Sequence, residues 1–65
     1  MESGKVKWYD AVKGFGFIET ENGKDIFVHR SGLDSELGVP VENQEVEFEV
    51  EEGPKGLFAT NVRAL

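Results

Sequence analysis

The 65-residue sequence contains no cysteine, so neither a disulfide nor a thiolate-bound metal can stiffen the fold. Only one histidine is present, which leaves a structural zinc site without ligands; no metal and no other cofactor is expected. The lack of cysteine agrees with a reducing, cytoplasmic setting. No apolar run approaches the ~20 residues that span a bilayer, so no membrane association is expected. No apolar segment follows Met1-Glu2-Ser3-Gly4-Lys5, and no signal peptide is read there. No segment carries a helical stripe of useful length. A nucleophile–base pair and a phosphate loop are also missing, and Gly14-x-Gly16 opens no helix, so the sequence does not read as an enzyme.

What is present bounds the fold. Sixty-five residues make one domain, 1–65, and a chain this short buries only roughly 60% of the surface its unfolded form exposes. The net charge of −6 argues at first against a polyanionic partner. Its distribution weakens that argument. Residues 1–30 balance five acids against five bases, whereas 31–52 hold eight acids and no base, and 53–65 add only Lys55 and Arg63. The acidity is concentrated in one stretch, which leaves room for a locally basic face elsewhere.

The dominant period is two, the signature of strands. Strands are expected at Lys5–Tyr9, Phe15–Thr20, Lys24–His29, Glu45–Glu51 and Leu57–Arg63. Asn22-Gly23 and Gly53-Pro54-Lys55-Gly56 mark tight turns. The long connection at 30–43 has room for one short helical turn near Ser31–Asp34. Five short strands leave exposed edges unless the sheet closes, and a five-stranded antiparallel barrel of the OB type, all-β, is the economical solution.

Alternation then assigns faces. Val46, Phe48 and Val50 point inward, with the intervening glutamates forming a solvated acidic side. Strands two and three each offer an aliphatic face (Ile18; Ile26, Val28) and an aromatic one (Phe15, Phe17; Phe27, His29). A barrel has one interior. If the aliphatic residues fill it with Val6, the phenylalanines lie outside as an apolar patch that a monomer rarely keeps without a use. The competing assignment buries the phenylalanines. The exposed set, however, ends in His29 and is flanked by Lys7 and Lys13, which favours the wet face. Trp8 shares the parity of Val6 and reaches the patch only if its strand bends or bulges; Tyr9 has the opposite parity and could border the patch without that. Gly14 and Gly16 would leave bare backbone beside the rings for a ligand to approach.

Lys13-Gly14-Phe15-Gly16-Phe17-Ile18 nearly matches the RNA-binding signature K/R-G-F/Y-G/A-F-V. Rings stack on bases, glycines permit close approach and the lysine meets phosphate. An RRM would need two helices, for which this chain is too short. Taken with Asp25–His29, Gly4–Trp8, Glu52-Gly53 and Ala59-Thr60-Asn61-Val62, the motif resembles the bacterial cold-shock protein family, single cold-shock domains, over nearly the whole chain. That resemblance implies an OB-fold monomer that binds single-stranded RNA and DNA with little sequence selectivity and acts as an RNA chaperone. By position it implies a ligand surface of Lys7, Trp8, Asp10, Lys13, Phe15, Phe17, Phe27, His29, Arg30, Lys55 and Phe58.

The chain departs from the family pattern at several points. Tyr9 stands for a usual Phe and Asp10 for a usual Asn, the latter placing an anion near the phosphates and weakening or shifting binding. Arg30 replaces an aromatic, and its guanidinium can both stack and neutralise phosphate. The Ser35–Pro40 loop lacks the family's Phe, and Phe58 replaces a common Gln, either as a substitute ring or as core. A second functional class stays open beside the first: a protein-interaction barrel using the same aromatic patch, mildly favoured by the net charge.

Overall fold

The computed structural model describes residues 2–65. Five strands form where alternation places them: β1 (Glu2–Asp10), β2 (Phe15–Thr20), β3 (Asp25–His29), β4 (Glu45–Gly53) and β5 (Gly56–Ala64). They close into a barrel in the order β1-β2-β3-β5-β4. Closure leaves no long free edge, which a small, partly acidic sheet would otherwise have to protect. Four seams are antiparallel, and the fifth, β3 with β5, runs parallel through Phe27↔Phe58 and Val28↔Ala59. The helical turn falls at Arg30–Gly32 as a 3-10 turn, one residue earlier than the sequence suggests, because His29 caps it.

The interior holds Val6, Ile18, Ile26, Val28, Val46, Phe48, Ala59 and Val62. Phe48 is the one fully buried ring among the described residues, and burying a side chain of that size contributes about 1.5–3 kcal/mol. The aliphatic face of β2 and β3 is therefore the inner one. Val46 and Phe48 lie fully inside, and Val50 packs against the core from its margin.

Strict alternation fails at two places, and both failures shape the surface. In β5, Ala59 and Val62 are both buried although they are three residues apart. The register shifts between Glu47 and Glu49 on the facing strand, and Asn61 takes a positive φ of 53°. Asn tolerates that conformation, and the extra residue returns the chain to the inward side. The second failure, in β1, positions the site.

The acidic strand is less free than its sequence suggests. Glu47 bonds Arg63 Nε at 2.7 Å, Glu49 accepts from Asn61 Nδ2 at 2.6 Å and Glu51 accepts from Thr60 Oγ1 at 3.1 Å. These glutamates form a cross-strand ladder onto β5 as well as a solvated face.

Candidate functional site

The site is built around a β-bulge. Val6 faces Ile18 across the β1–β2 seam, but the next pair is Trp8↔Phe17, so Lys7 is an extra residue on β1. That insertion reverses the parity of everything after it. Trp8, which simple alternation would send inside with Val6, comes out beside Phe17. Tyr9 correspondingly turns inward and packs against the core instead of bordering the aromatic patch, which corrects the reading from parity.

Trp8 from β1, Phe15 and Phe17 from β2 and Phe27 from β3 then form one outer cluster. Trp8 lies 5.8 Å from Phe15 and 5.5 Å from Phe17 between ring centroids. Phe27 lies 5.9 Å from Phe15, nearly parallel at 28°, and 5.8 Å edge-on from Phe17. Trp8 is 40% exposed and Phe27 36%, high values for rings of this size. Phe15 and Phe17 are half-buried, covered largely by their neighbours. Each such pair contributes about 0.5–1.5 kcal/mol, so the cluster is preorganised rather than floppy.

His29 stands opposite Phe15. Its Nδ1 accepts the Ser31 backbone N–H at 3.2 Å and lies 3.0 Å from Ser31 Oγ. With Nδ1 accepting, the neutral ring carries its proton on Nε2, and the cap fixes the ring's position at the end of the patch.

The charged candidates fall at the β1 bulge, at strand ends and in turns. Lys7, the bulged residue, bonds Asp25 at 3.1 Å, both side chains about half exposed. Such a surface pair contributes ~0–1 kcal/mol and yields readily to another anion. Lys13 is exposed in the β1–β2 turn, and Lys55 is exposed in the β4–β5 turn. Arg30 donates its backbone N–H to Gly14 O at 2.8 Å and lays its stem across Gly14. Asp10 has a structural task invisible in the sequence: its Oδ1 accepts from Val12 N at 2.9 Å and Lys13 N at 3.1 Å, closing the turn that presents Lys13.

The two glycines of the motif serve the fold rather than an incoming ligand. Both are buried. A Cβ on Gly16 would strike the Trp8 carbonyl oxygen and lie 2.7 Å from Tyr9 Cα, so Gly16 is what lets β2 approach the bulge. A Cβ on Gly14 would meet Arg30 Cδ at 2.9 Å.

Phe58, which parity alone leaves undecided, lies outside the core. It pairs with Phe27 across the parallel seam, and its half-buried ring rests on Gly53. Phe17, Phe27, Phe58 and the Gly53–Leu57 turn line a groove of about 470 Å³. Gly53 and Leu57 were not among the expected site residues; the only sequence signal was an apolar Leu just past a Gly-Pro-Lys-Gly turn. A smaller cleft lies between Tyr9, Arg30, Leu33 and Val39 at the end of the barrel, where the loop supplies no ring.

The family model described as "'Cold-shock' DNA-binding domain" matches residues 2–65. The chain is 53% identical over 64 residues to "Cold shock protein CspC" of Bacillus subtilis, covering 97% of each chain. It is 57% identical over 65 residues to "Cold shock-like protein CspJ" of Salmonella typhimurium, covering 97% of this chain and 93% of that one. Among solved structures it is similar to "drosophila Unr CSD456", with a TM-score of 0.77 and 29% identity over 98% of this chain, which is 26% of that chain.

Proposed function

The chain belongs to the cold-shock DNA-binding domain family, and from that premise we propose that it binds single-stranded RNA and DNA with low sequence selectivity. Bases stack on Trp8, Phe15, Phe17, Phe27 and His29, while Lys7, Lys13, Arg30 and Lys55 meet phosphates. The observation that carries this reading is that four rings from three strands are held outside a barrel whose interior is already filled by other residues. Every nucleobase has a π-face, so a ring platform binds strands while tolerating their sequence, at about 1–3 kcal/mol per base.

The acidic balance supports a particular version of this function. The excess negative charge sits on β4 and in the long loop, whereas Trp8, Phe15, Phe17 and Phe27 lie on β1, β2 and β3, and Asp10 holds the turn that bears Lys13. Binding is therefore of modest strength and strongly salt-dependent. Modest strength suits an RNA chaperone, which must keep messages unpaired without trapping them. The protein acts as a monomer in this reading.

Titration with oligo-dT at low salt tests it. Stacking quenches Trp8, the sole tryptophan, and log affinity falls against log salt with a slope between roughly two and three, at about 0.7 per neutralised phosphate. A duplex of the same length competes poorly. No quenching and no mobility change at low salt would refute nucleic-acid binding and leave the patch to a protein partner.

A further inference from the structure

We propose that Asn22-Gly23, at the tip of the β2–β3 hairpin, is a site at which the folded protein modifies itself: Asn22 loses its side-chain amide and an isoaspartyl linkage enters the turn. The reaction uses none of the outer rings, so it stands apart from whatever binds them.

The sequence holds three asparagines, at 22, 43 and 61. An asparagine reacts in this way when the backbone nitrogen of the next residue reaches its Cγ, and a side chain on that next residue hinders the approach. Gly23 has no such side chain, and a Cβ added there would meet nothing within 4 Å. Gln44 and Val62 follow the other two asparagines. The Asn61 amide is also held, by Glu49 at 2.6 Å. Residues 21–25 are all exposed, so solvent water reaches the whole turn.

The chemistry needs only that water. The Gly23 nitrogen attacks Asn22 Cγ, a C–N bond forms, the Cγ–Nδ2 bond breaks, and ammonia leaves with the Gly23 proton. The product is a five-membered succinimide. Water then adds to one of its two carbonyl carbons and opens the ring. One opening yields aspartate at position 22. The other yields isoaspartate, in which the chain runs through the former side chain and gains one backbone methylene. Either product adds one carboxylate, taking the net charge from −6 to −7.

The fold sets the pace. Gly23 N–H donates to Thr20 O at 2.9 Å, Thr20 N–H to Lys24 O at 2.8 Å, and Lys24 N–H to Thr20 Oγ1 at 3.2 Å. In that closed turn the attacking nitrogen is engaged, and Gly23 is held at a φ of 81°. Attack therefore requires the turn to open. Exposed hairpin tips lie at the low-stability end of a fold, and glycine adopts the new backbone angles readily. Isoaspartate then prevents full reclosure, because an extra backbone atom separates Thr20 O from Gly23 N. The adjoining pairs of the seam are Glu19↔Asp25 and Ile18↔Ile26, so the loosening begins one residue from the core.

The test incubates the intact, folded chain in mildly alkaline buffer and follows the tryptic peptide of residues 14–24 by mass spectrometry, against synthetic peptides bearing aspartate or isoaspartate. Peptide 14–24 should convert to both acids while the peptides bearing Asn43 and Asn61 stay intact. The chain in strong urea should convert faster than the folded chain. Thr20→Val, which removes the Lys24 N–H acceptor, should convert about 2- to 12-fold faster than the native chain, the effect of one lost turn hydrogen bond. Should that variant not fold, the native rate in rising urea below the unfolding transition reads the same opening and should climb. The isoaspartyl form, isolated by anion exchange, should melt roughly 4–8 °C lower by circular dichroism. Asn22→Asp, which carries the charge without the extra methylene, should melt close to the native chain. No conversion at Asn22 in the folded chain while the urea-treated chain converts overturns the proposal, as does equal conversion at Asn43 or Asn61.

Discussion

Replacing Phe27 and Phe48 by alanine, one at a time, removes the same side chain from opposite faces of one small barrel. Phe48 is fully enclosed, and its loss leaves a cavity that costs about 3–5 kcal/mol. At ~0.05–0.15 kcal/mol per residue, a 65-residue domain has only about 3–10 kcal/mol of stability in total. Phe48→Ala should therefore lower Tm by roughly 12 °C or more, or leave the chain unfolded. Phe27 is 36% exposed and loses mainly its contacts with Phe15 and Phe17, about 1–3 kcal/mol together. Binding should follow the opposite order. Phe27→Ala loses one stacking surface, about 1–3 kcal/mol or roughly 5- to 150-fold in affinity for oligo-dT. Any Phe48→Ala protein that remains folded should bind almost as the native chain does. Stability is best followed by circular dichroism, because Trp8 is part of the patch. Phe27→Ala melting as early as Phe48→Ala while its folded fraction binds with native affinity would mean the outer rings are core, and the functional argument would collapse.

Three further perturbations examine the supporting structure. Gly16→Ala should destabilise by about 1–3 kcal/mol in urea unfolding, because its methyl group meets the β1 backbone at the bulge; an unchanged midpoint would contradict the close approach. Asp10→Asn should keep the turn, since an amide oxygen accepts the same two N–H groups, and should tighten binding about two- to fivefold at low salt, the size of one exposed charge interaction of about 1 kcal/mol or less. That gain should vanish at high salt. Lys7→Gln should change stability by less than about 1 kcal/mol yet reduce the salt slope of binding by about 0.7, as measured by titration at several ionic strengths.

The strands were legible because alternation and turn residues agree locally. Phe15–Thr20 forms as read, and Val46 and Phe48 point inward as read. The aromatic face of β2 and β3 followed from asking which set could fill a single interior. The side switch in β1 was legible only as a condition, since parity sends Trp8 inward unless its strand bulges, and the bulge depends on how β2 approaches, which the missing Cβ at position 16 permits. Trp8 and Tyr9 exchange faces at that bulge. Phe58 stayed ambiguous because its strand begins at a turn and contains its own bulge, so parity has no fixed origin. The tasks of Asp10 and the β4 glutamates depend on partners brought near only by folding.

The central claim is that single strands lie on the outer rings of β1, β2 and β3, and amide chemical-shift mapping on addition of oligo-dT tests it directly. The account predicts the largest shifts at Trp8, Phe15, Phe17, Phe27 and His29 and in the turns bearing Lys13 and Lys55, with Glu47 and Glu49 nearly still. Largest shifts along β4, or a uniform change over the whole barrel, would contradict it.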